Sequence, residues 1–175
     1  PGHADFVAYK KYKGFNDFRG GGHFSGRLTL ALVAAGVIAK KIIKPIKTEA
    51  LLVEAGGYRN IDLGIENAIK EKDSIGGLIE CTVKNVPIGL GEPFFNSVES
   101  QISHLIFSIP AIKGIEFGSG FNSAKMTGSE SNDNIINSEG KTETNNSGGI
   151  NGGITNGNDI FFRVANPIAS YLLTG

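Results

Sequence analysis

The chain has 175 residues, of which 40% are hydrophobic and 19% charged, a composition typical of one globular domain with a sizeable core. Its 17 Lys and Arg residues balance 17 Asp and Glu residues, which argues against a broad nucleic-acid-binding or membrane-binding surface. The single Cys81 excludes an internal disulfide, and no apolar run reaches the roughly 18 residues of a membrane span. We therefore expect a cytoplasmic protein that binds neither nucleic acid nor membrane.

The clearest predicted helix covers residues 25–44. Ser25 stands in the N-cap position, apolar residues recur every three or four positions, and Pro45 ends the pattern. Four small residues in this helix predict close packing against a sheet: Ala34, Ala35, Gly36 and Ala39.

Helical and extended segments alternate in the rest of the chain. We predict helices over residues 62–72 and 96–107, and strands over residues 76–84, 113–118 and 159–165. Because the strands are irregularly spaced, an α+β domain is favoured over a doubly wound parallel sheet.

A polar segment rich in Asn, Gly and Ser covers residues 127–158 and is predicted to be a loop. Loops of this length inside a compact domain are usually functional or disordered. Its second half contains "SGGINGGITNG", and the two Gly-Gly pairs indicate a backbone that approaches something closely.

The stretch "RGGGHFSGRLT", residues 19–29, carries the strongest local signal for chemistry. Three glycines lead into a helix, and Arg19, His23 and Arg27 surround them. A helix N-terminus offers unpaired N–H groups, and arginine offers a forked donor, so the pattern suits an anion such as phosphate. A plain turn with solvated arginines explains the same residues equally well.

Other motifs are weaker. "EGKTET" supplies only the end of a phosphate-binding loop, because Ile135 occupies the position of its first glycine. In "PGHAD", Asp5 could orient His3 as a general acid or base, although a solvated histidine fits as well. His104 is expected to be a packed or half-exposed helix residue. No His or Cys residues have the spacing of metal ligands, so we expect no metal site.

Eight stretches together resemble the chorismate synthase family, in the family's order and across nearly the whole chain. They are "PGHADF", "FRGGGHFSGR", "AAGVIAKKI", "KDSIGGLIEC", "NVPIGLGEPFF", "SIPAIKGIEFGSGF", "NNSGGINGGITNG" and "FFRVANPIAS". The His-Phe-Ser sequence after the glycines is similar to the form found in clostridial members.

The resemblance implies a lyase of aromatic amino-acid biosynthesis. It would convert 5-enolpyruvylshikimate 3-phosphate to chorismate and phosphate, with reduced FMN supplied by NADPH-dependent flavin reduction. The implied fold is a β-α-β sandwich of antiparallel sheets and helices, and the implied assembly is a homotetramer.

Site residues follow from the resemblance position by position. His3 would manage a proton on the reduced flavin, and Arg27 would bind the substrate. The residues implied to bind the flavin are His23, Phe24, Ser25, Pro110, Ala111, Gly153, Asn166, Pro167, Ile168, Ala169 and Ser170.

Departures from the family pattern shape the expected activity. The family's Gly-Glu-Ser-His-Gly and Arg-x-Asp motifs are absent, and Asn166 stands where a lysine is expected in a segment one residue short. We therefore expect residues 1–175 to form a single partial domain, the central part of the family fold, with weak or no activity alone. Two alternatives are a truncated product that folds or assembles without catalysis, and a generic anion- or nucleotide-binding module built on the glycine turn.

Overall fold

The computed structural model of the chain describes residues 4–167. It divides into two compact units, residues 1–39 and residues 40–175. The single partial domain expected from the sequence stays a prediction.

The first unit is built from short helical segments. Helix α1 spans Ala4–Lys11, which the sequence did not predict, and two 3-10 turns follow at Arg19–Phe24 and Gly26–Thr29. Helix α2, Leu30–Ile42, begins here and runs into the second unit. The predicted helix over 25–44 is confirmed in its position and in its Ser25 cap, whose side chain accepts a hydrogen bond from the Arg27 N–H.

The predicted packing of α2 against a sheet stays a prediction. None of the α2 residues is buried, including the small residues on which the prediction rested. Small residues permit close packing but do not choose the partner.

Counted as one helix, the segment Arg19–Ile42 is long and apolar enough to cross a membrane. It is interrupted, however, by three glycines with left-handed backbone angles. Its regular part, α2, has 13 residues and is therefore about 20 Å long, shorter than the roughly 30 Å hydrocarbon core of a bilayer. The expectation of no membrane partner stays a prediction.

The second unit contains a four-stranded antiparallel sheet with the order β1-β2-β6-β3. The strands are β1 Lys47–Ala55, β2 Gly77–Lys84, β3 Gly114–Phe117 and β6 Ile160–Asn166. The three predicted strands are confirmed. Strand β1 was missed because its sequence, "KTEALLVEA", is rich in helix-forming Glu, Ala and Leu, and sheet pairing overrides that preference.

Alternate residues of β6 form the centre of the core. Ile160, Phe162 and Val164 are buried, and the Phe162 ring lies 5.6 Å from that of Phe117 on β3. Partly buried residues packed against them come from β2, β3 and helix α4, which spans Val98–Ile106: Cys81, Val83, Ile115, Phe117, Val98, Ile102 and Ile106. Burial, together with the charge of Glu80, raises the pKa of the Cys81 thiol, so this side chain stays neutral and packs as a small apolar group.

The two remaining predicted helices are present. Helix α3 spans Ile61–Glu71, with Asn60 as its N-cap, and helix α4 spans Val98–Ile106, with Ser97 as its N-cap. His104 lies exposed in the last turn of α4. Helices and antiparallel strands in this arrangement confirm the α+β class.

The segment predicted as a loop over residues 127–158 is partly regular. It contains the short helix α5, Gly128–Ser131, and a hairpin formed by β4, Ile150–Asn151, and β5, Ile154–Thr155. The loop prediction missed these elements because two-residue strands carry no detectable periodicity.

Candidate functional site

The glycine turn of the first unit adopts a backbone that demands glycine. Gly20, Gly21 and Gly22 have φ angles of 59°, 78° and 51°, all in the left-handed region. A Cβ on Gly22 would lie 2.7 Å from the carbonyl oxygen of Asp17. The triple glycine is therefore required by the turn itself, whether or not it binds an anion.

The turn also holds one arginine in place. The Nη1 of Arg27 donates to the carbonyl oxygen of Gly20 and, at 3.2 Å, to the Oγ of Ser25. Among residues 4–167, the other two guanidinium nitrogens of Arg27 have no hydrogen-bond partner. The side chain is exposed, as are His23 and Phe24 next to it, whereas Ser25 is half-buried. The guanidinium group of Arg27 is thus held in place and still has N–H donors available for a ligand.

Arg19 differs from Arg27 because a carboxylate already neutralises it. Its guanidinium lies 2.7 Å from the Asp17 carboxylate and forms two hydrogen bonds with it. The hydrogen bonds from Arg19 lower the pKa of Asp17. Of the two arginines in the motif, Arg27 is the better candidate for an anionic ligand.

In the second unit, Pro110 and Ala111 form the turn before β3. The Ile112 N–H bonds the carbonyl oxygen of Ile109, and Ala111 has a φ of 71°. This is the pattern of a type II turn, in which the residue after proline is usually glycine. Ala111 therefore carries local strain, a feature that often accompanies functional sites.

Asn166 and Pro167 line a shallow cleft of about 330 Å³ at one end of the sheet. Residues at one end of each of the four strands line the cleft, and four of the lining residues are glycines: Gly56, Gly57, Gly76 and Gly77. Lys113, whose N–H bonds the carbonyl oxygen of Ala165, adds a cation, and Glu54 adds a carboxylate. Lys113 and these glycines were not among the site residues predicted from the sequence, although the Gly-Gly pairs of "EAGGY" and "SIGGL" mark the positions of the glycines.

Gly153 lies at the tip of the β4–β5 hairpin. Gly152 and Gly153 have φ angles of 60° and 84°, as a two-residue type I′ turn requires. The Gly153 carbonyl oxygen accepts a 2.9 Å hydrogen bond from the N–H of Val98, and a Cβ on Gly153 would lie 2.7 Å from that of Ser97. The close backbone approach expected of this segment is therefore made, within the described residues, to the start of α4.

The hairpin that carries Gly153 and the cleft lined by Asn166 lie at opposite ends of the four-stranded sheet. The segment that leads into the hairpin joins the start of β6, where the Phe161 N–H bonds the carbonyl oxygen of Gly148. Asn166 ends the same strand, about 17 Å further along at roughly 3.3 Å per residue. Lys113, two residues after Ala111, is at the Asn166 end. The structure thus groups Ala111, Asn166 and Pro167, and separates Gly153 from them.

Four predicted site residues, His3, Ile168, Ala169 and Ser170, lie outside the described residues. Within residues 4–167, no group of three His, Cys, Asp or Glu side chains could hold a metal ion. The Gly140–Thr142 stretch of the incomplete phosphate-binding loop follows a turn, Thr142 is bridged to Ile135, and no helix follows the stretch up to residue 167, where the described residues end.

Comparison with known proteins gives one family. The profile of the chorismate synthase family matches residues 1–174. A chorismate synthase of Chitinophaga pinensis is 65% identical over 166 residues, covering 94% of this chain and 50% of that protein. One of Korarchaeum cryptofilum is 45% identical and covers 94% of this chain and 54% of its own length. A crystal structure of a chorismate synthase superposes with a TM-score of 0.82 at 30% identity, covering 92% of this chain and 61% of that one.

The chain belongs to the chorismate synthase family. This confirms the family and the fold class that the sequence motifs indicated. The chain spans about half the length of the curated relatives it matches.

The described residues fit the reduced flavin that the family resemblance implies. A flavin mononucleotide presents an anionic phosphate and a flat aromatic ring. Phe24 offers an exposed ring for stacking, and the left-handed backbone of Ala111 and of the Gly20–Gly22 turn allows a ligand to approach backbone groups.

Proposed function

We propose that this chain is part of a chorismate synthase, which converts 5-enolpyruvylshikimate 3-phosphate to chorismate and phosphate. The observation that carries the proposal is the 65% identity to a chorismate synthase over 94% of the chain. In the reaction the substrate loses its phosphate by C–O cleavage and a ring proton by C–H cleavage, and a new C=C bond forms. There is no net redox change.

We assign the substrate phosphate to Arg27. Hydrogen bonds to the Gly20 carbonyl and to Ser25 already hold its guanidinium in place. Binding an anion therefore costs little additional side-chain entropy. A fixed donor of this kind stabilises the negative charge that grows on a departing phosphate. Arg19 is a poorer choice because its partner Asp17 already occupies it.

Reduced FMN, when bound, supplies transient electron density to the substrate as the C–O bond breaks. The residues that the family resemblance assigns to it are His23, Phe24, Ser25, Pro110, Ala111, Gly153 and Asn166–Ser170. Their task is to orient the ring and exclude water, and His3 is assigned to hold the proton that adjusts the charge of the flavin. Lys113 compensates in charge for Asn166, which occupies the position where the resemblance implies a lysine.

The proposal includes a cytoplasmic location, a homotetrameric assembly and flavin reduction by an NADPH-dependent reductase. All three rest on the family resemblance. Sedimentation of the purified chain tests the assembly, because a monomer at micromolar concentration would contradict it.

Flavin and substrate binding provide the direct test. The chain is titrated anaerobically with reduced FMN, with and without 5-enolpyruvylshikimate 3-phosphate, and its lack of tryptophan leaves the flavin signal unobscured. We expect FMN to bind, and to bind more tightly when the substrate is present. Binding of ATP without FMN would instead support a generic nucleotide-binding module.

Turnover distinguishes a catalytic piece from an inactive one. Chorismate formation with reduced FMN should be weak or absent for the 175-residue chain, because the chain spans about half of its curated relatives. A rate equal to that of a full-length relative would contradict this expectation. Flavin binding with no turnover under any condition would favour the truncated, non-catalytic alternative.

A further inference from the structure

The carboxylate of Asp133 is the centre of a hydrogen-bond network in the glycine-rich part of the second unit. Its Oδ1 accepts from the Thr144 hydroxyl and the Asn146 N–H, both at 2.7 Å, and its Oδ2 accepts from the Ser147 N–H at 2.8 Å. Thr144, Asn146 and Ser147 all lie immediately before the first glycine pair. One side chain therefore fixes the entry into the sequence "GGINGG".

Asn146 extends this network to neighbouring elements. Its carbonyl oxygen accepts from the Ser119 N–H at 2.8 Å, and its side-chain oxygen accepts from the Ser119 hydroxyl at 2.7 Å. Its side-chain nitrogen donates to the carbonyl oxygen of Glu130. Asn146, which donates a hydrogen bond to Asp133, is thus also hydrogen-bonded to the turn after β3 and to helix α5.

The backbone that follows has almost no room to shift. Gly148 and Gly149 have φ angles of 66° and 79°, and a Cβ on either would lie 2.5 Å from a backbone atom, Gly118 N or the Asp159 carbonyl oxygen. Four residues later, the Gly153 carbonyl oxygen binds the N–H of Val98. Segment 145–153 is therefore held at its start by Asp133 and at its end by helix α4.

Charge matters in this contact because each bond to Asp133 is donated to a carboxylate oxygen. Burial raises the pKa of Asp133, but the hydrogen bonds from Ser147, Thr144 and Asn146 outweigh it and lower the pKa overall. Hydrogen bonds to an ionised acceptor are roughly twice as strong as neutral ones. An amide in place of the carboxylate would turn one acceptor into a donor facing an N–H.

We propose that Asp133 is a positioning residue, whose carboxylate fixes segment 145–153 and thereby holds the backbone around Gly153 in place for the flavin. The flavin part of this inference rests on the proposed function. Asp133 itself touches neither cofactor nor substrate in this assignment, and it acts only through the segment that it anchors.

The test compares Asp133→Asn with Glu139→Gln in the full chain. Glu139 provides a matched loss of one charge in the same region, because its carboxylate accepts only from its neighbour Ser138 among the described residues. Amide hydrogen exchange is measured by mass spectrometry, and the dissociation constant of reduced FMN is measured by titration. Thr144→Val, which removes a single donor to Asp133, serves as a milder second variant should Asp133→Asn fold poorly.

We expect Asp133→Asn to speed exchange over residues 146–153 by about tenfold, as the loss of one charged hydrogen bond would, while β2 and β6 exchange as before. The FMN dissociation constant should rise by about tenfold as well, with Thr144→Val intermediate and Glu139→Gln unchanged. A merely structural residue would lower the protection of the whole sheet instead.

Unchanged exchange in both Asp133→Asn and Thr144→Val would overturn the inference. Faster local exchange with an unaltered FMN affinity would overturn its flavin part. If the unmodified chain does not bind FMN at all, the proposed function fails, and the exchange measurements alone decide whether Asp133 fixes the segment.

Discussion

The two units of the chain differ in the range of their contacts. In the first unit, side-chain hydrogen bonds join residues at most seven positions apart, and among its described residues only Ala8 is a buried hydrophobic residue. In the second unit, Thr155 forms hydrogen bonds with Pro87 and Leu90, which lie 68 and 65 positions away in the sequence. This unit also contains a core of six buried hydrophobic residues. Long-range contacts of this kind give the second unit its own stability, whereas the first unit has mainly local turn geometry.

The residues proposed to bind ligands are also divided between the two units. The guanidinium group of Arg27 and the exposed Phe24 ring belong to the first unit. The turns of Ala111 and Gly153, which are assigned to the flavin, belong to the second unit. Mutations in the second unit should therefore act mainly on folding, and mutations in the first mainly on binding.

The largest effect is expected from the core of the second unit. Phe162→Ala removes a side chain that is 6% exposed and that stacks with Phe117, so the free energy of unfolding should fall by about 3–5 kcal/mol. Because the chain has no tryptophan, urea unfolding is followed by circular dichroism. Phe121→Ala, at a ring that is 83% exposed, is the control and should change stability little. Equal losses in the two variants would show that the core lies elsewhere.

The glycine hairpin should give the next largest effect. Gly153→Ala places a Cβ 2.7 Å from that of Ser97 at a φ of 84°, and should cost about 2–4 kcal/mol through overpacking and backbone strain. Gly152→Ala shares the left-handed backbone but meets nothing within 4 Å, so only the strain remains, about 1–2 kcal/mol. The same urea titration measures both, and a milder effect at Gly153 than at Gly152 would contradict the packing assigned to it.

The sequence predicted those parts of the fold in which local pattern and final environment agree. The stretch "GLIECTVK", predicted to be a strand, forms β2, and Ser25 and the lysines mark both ends of the first long helix as capping and the helix dipole require. The hairpin was missed because its strands have only two residues each, whereas β1 was missed because its conformation comes from β2, a partner distant in the chain. No local pattern encodes such partners.

In the first unit, the expected effect is on ligand affinity. Arg27→Ala removes the fixed guanidinium and should weaken binding of the substrate phosphate by tenfold or more, since a hydrogen bond to a charged group contributes about 1.5–3 kcal/mol. Arg19→Ala is the matched control, because Asp17 already neutralises that arginine. Isothermal titration with 5-enolpyruvylshikimate 3-phosphate compares the two. A larger loss for Arg19 would reverse the assignment of the anion site.

The candidate site could be predicted only as far as its motifs extended. Arg19 and Arg27 are indistinguishable in "RGGGHFSGR", and only the Asp17 carboxylate beside Arg19 separates them. Asp133 lies 14 positions before Ser147 in a stretch that resembles any polar loop, so its role emerges only when the chain folds back. Spacing reveals neighbours along the chain, whereas these roles depend on neighbours in space.

The smallest expected effect is the pH dependence of the Asp133 anchor. Since hydrogen bonds hold the folded pKa of Asp133 below its ordinary value of 3.8, its contribution to stability is complete above about pH 4 and is lost as the pH falls through the folded pKa. Asp17, Glu49 and Glu130 also have lowered pKa values, so acid destabilises the chain through several groups. The difference between the unmodified chain and Asp133→Asn isolates one of them. Exchange at residues 146–153, measured from pH 6 down to pH 3 and corrected for intrinsic rates, should lose more protection at the acid end in the unmodified chain than in the variant. An identical acid dependence in both proteins would mean that another carboxylate controls the segment.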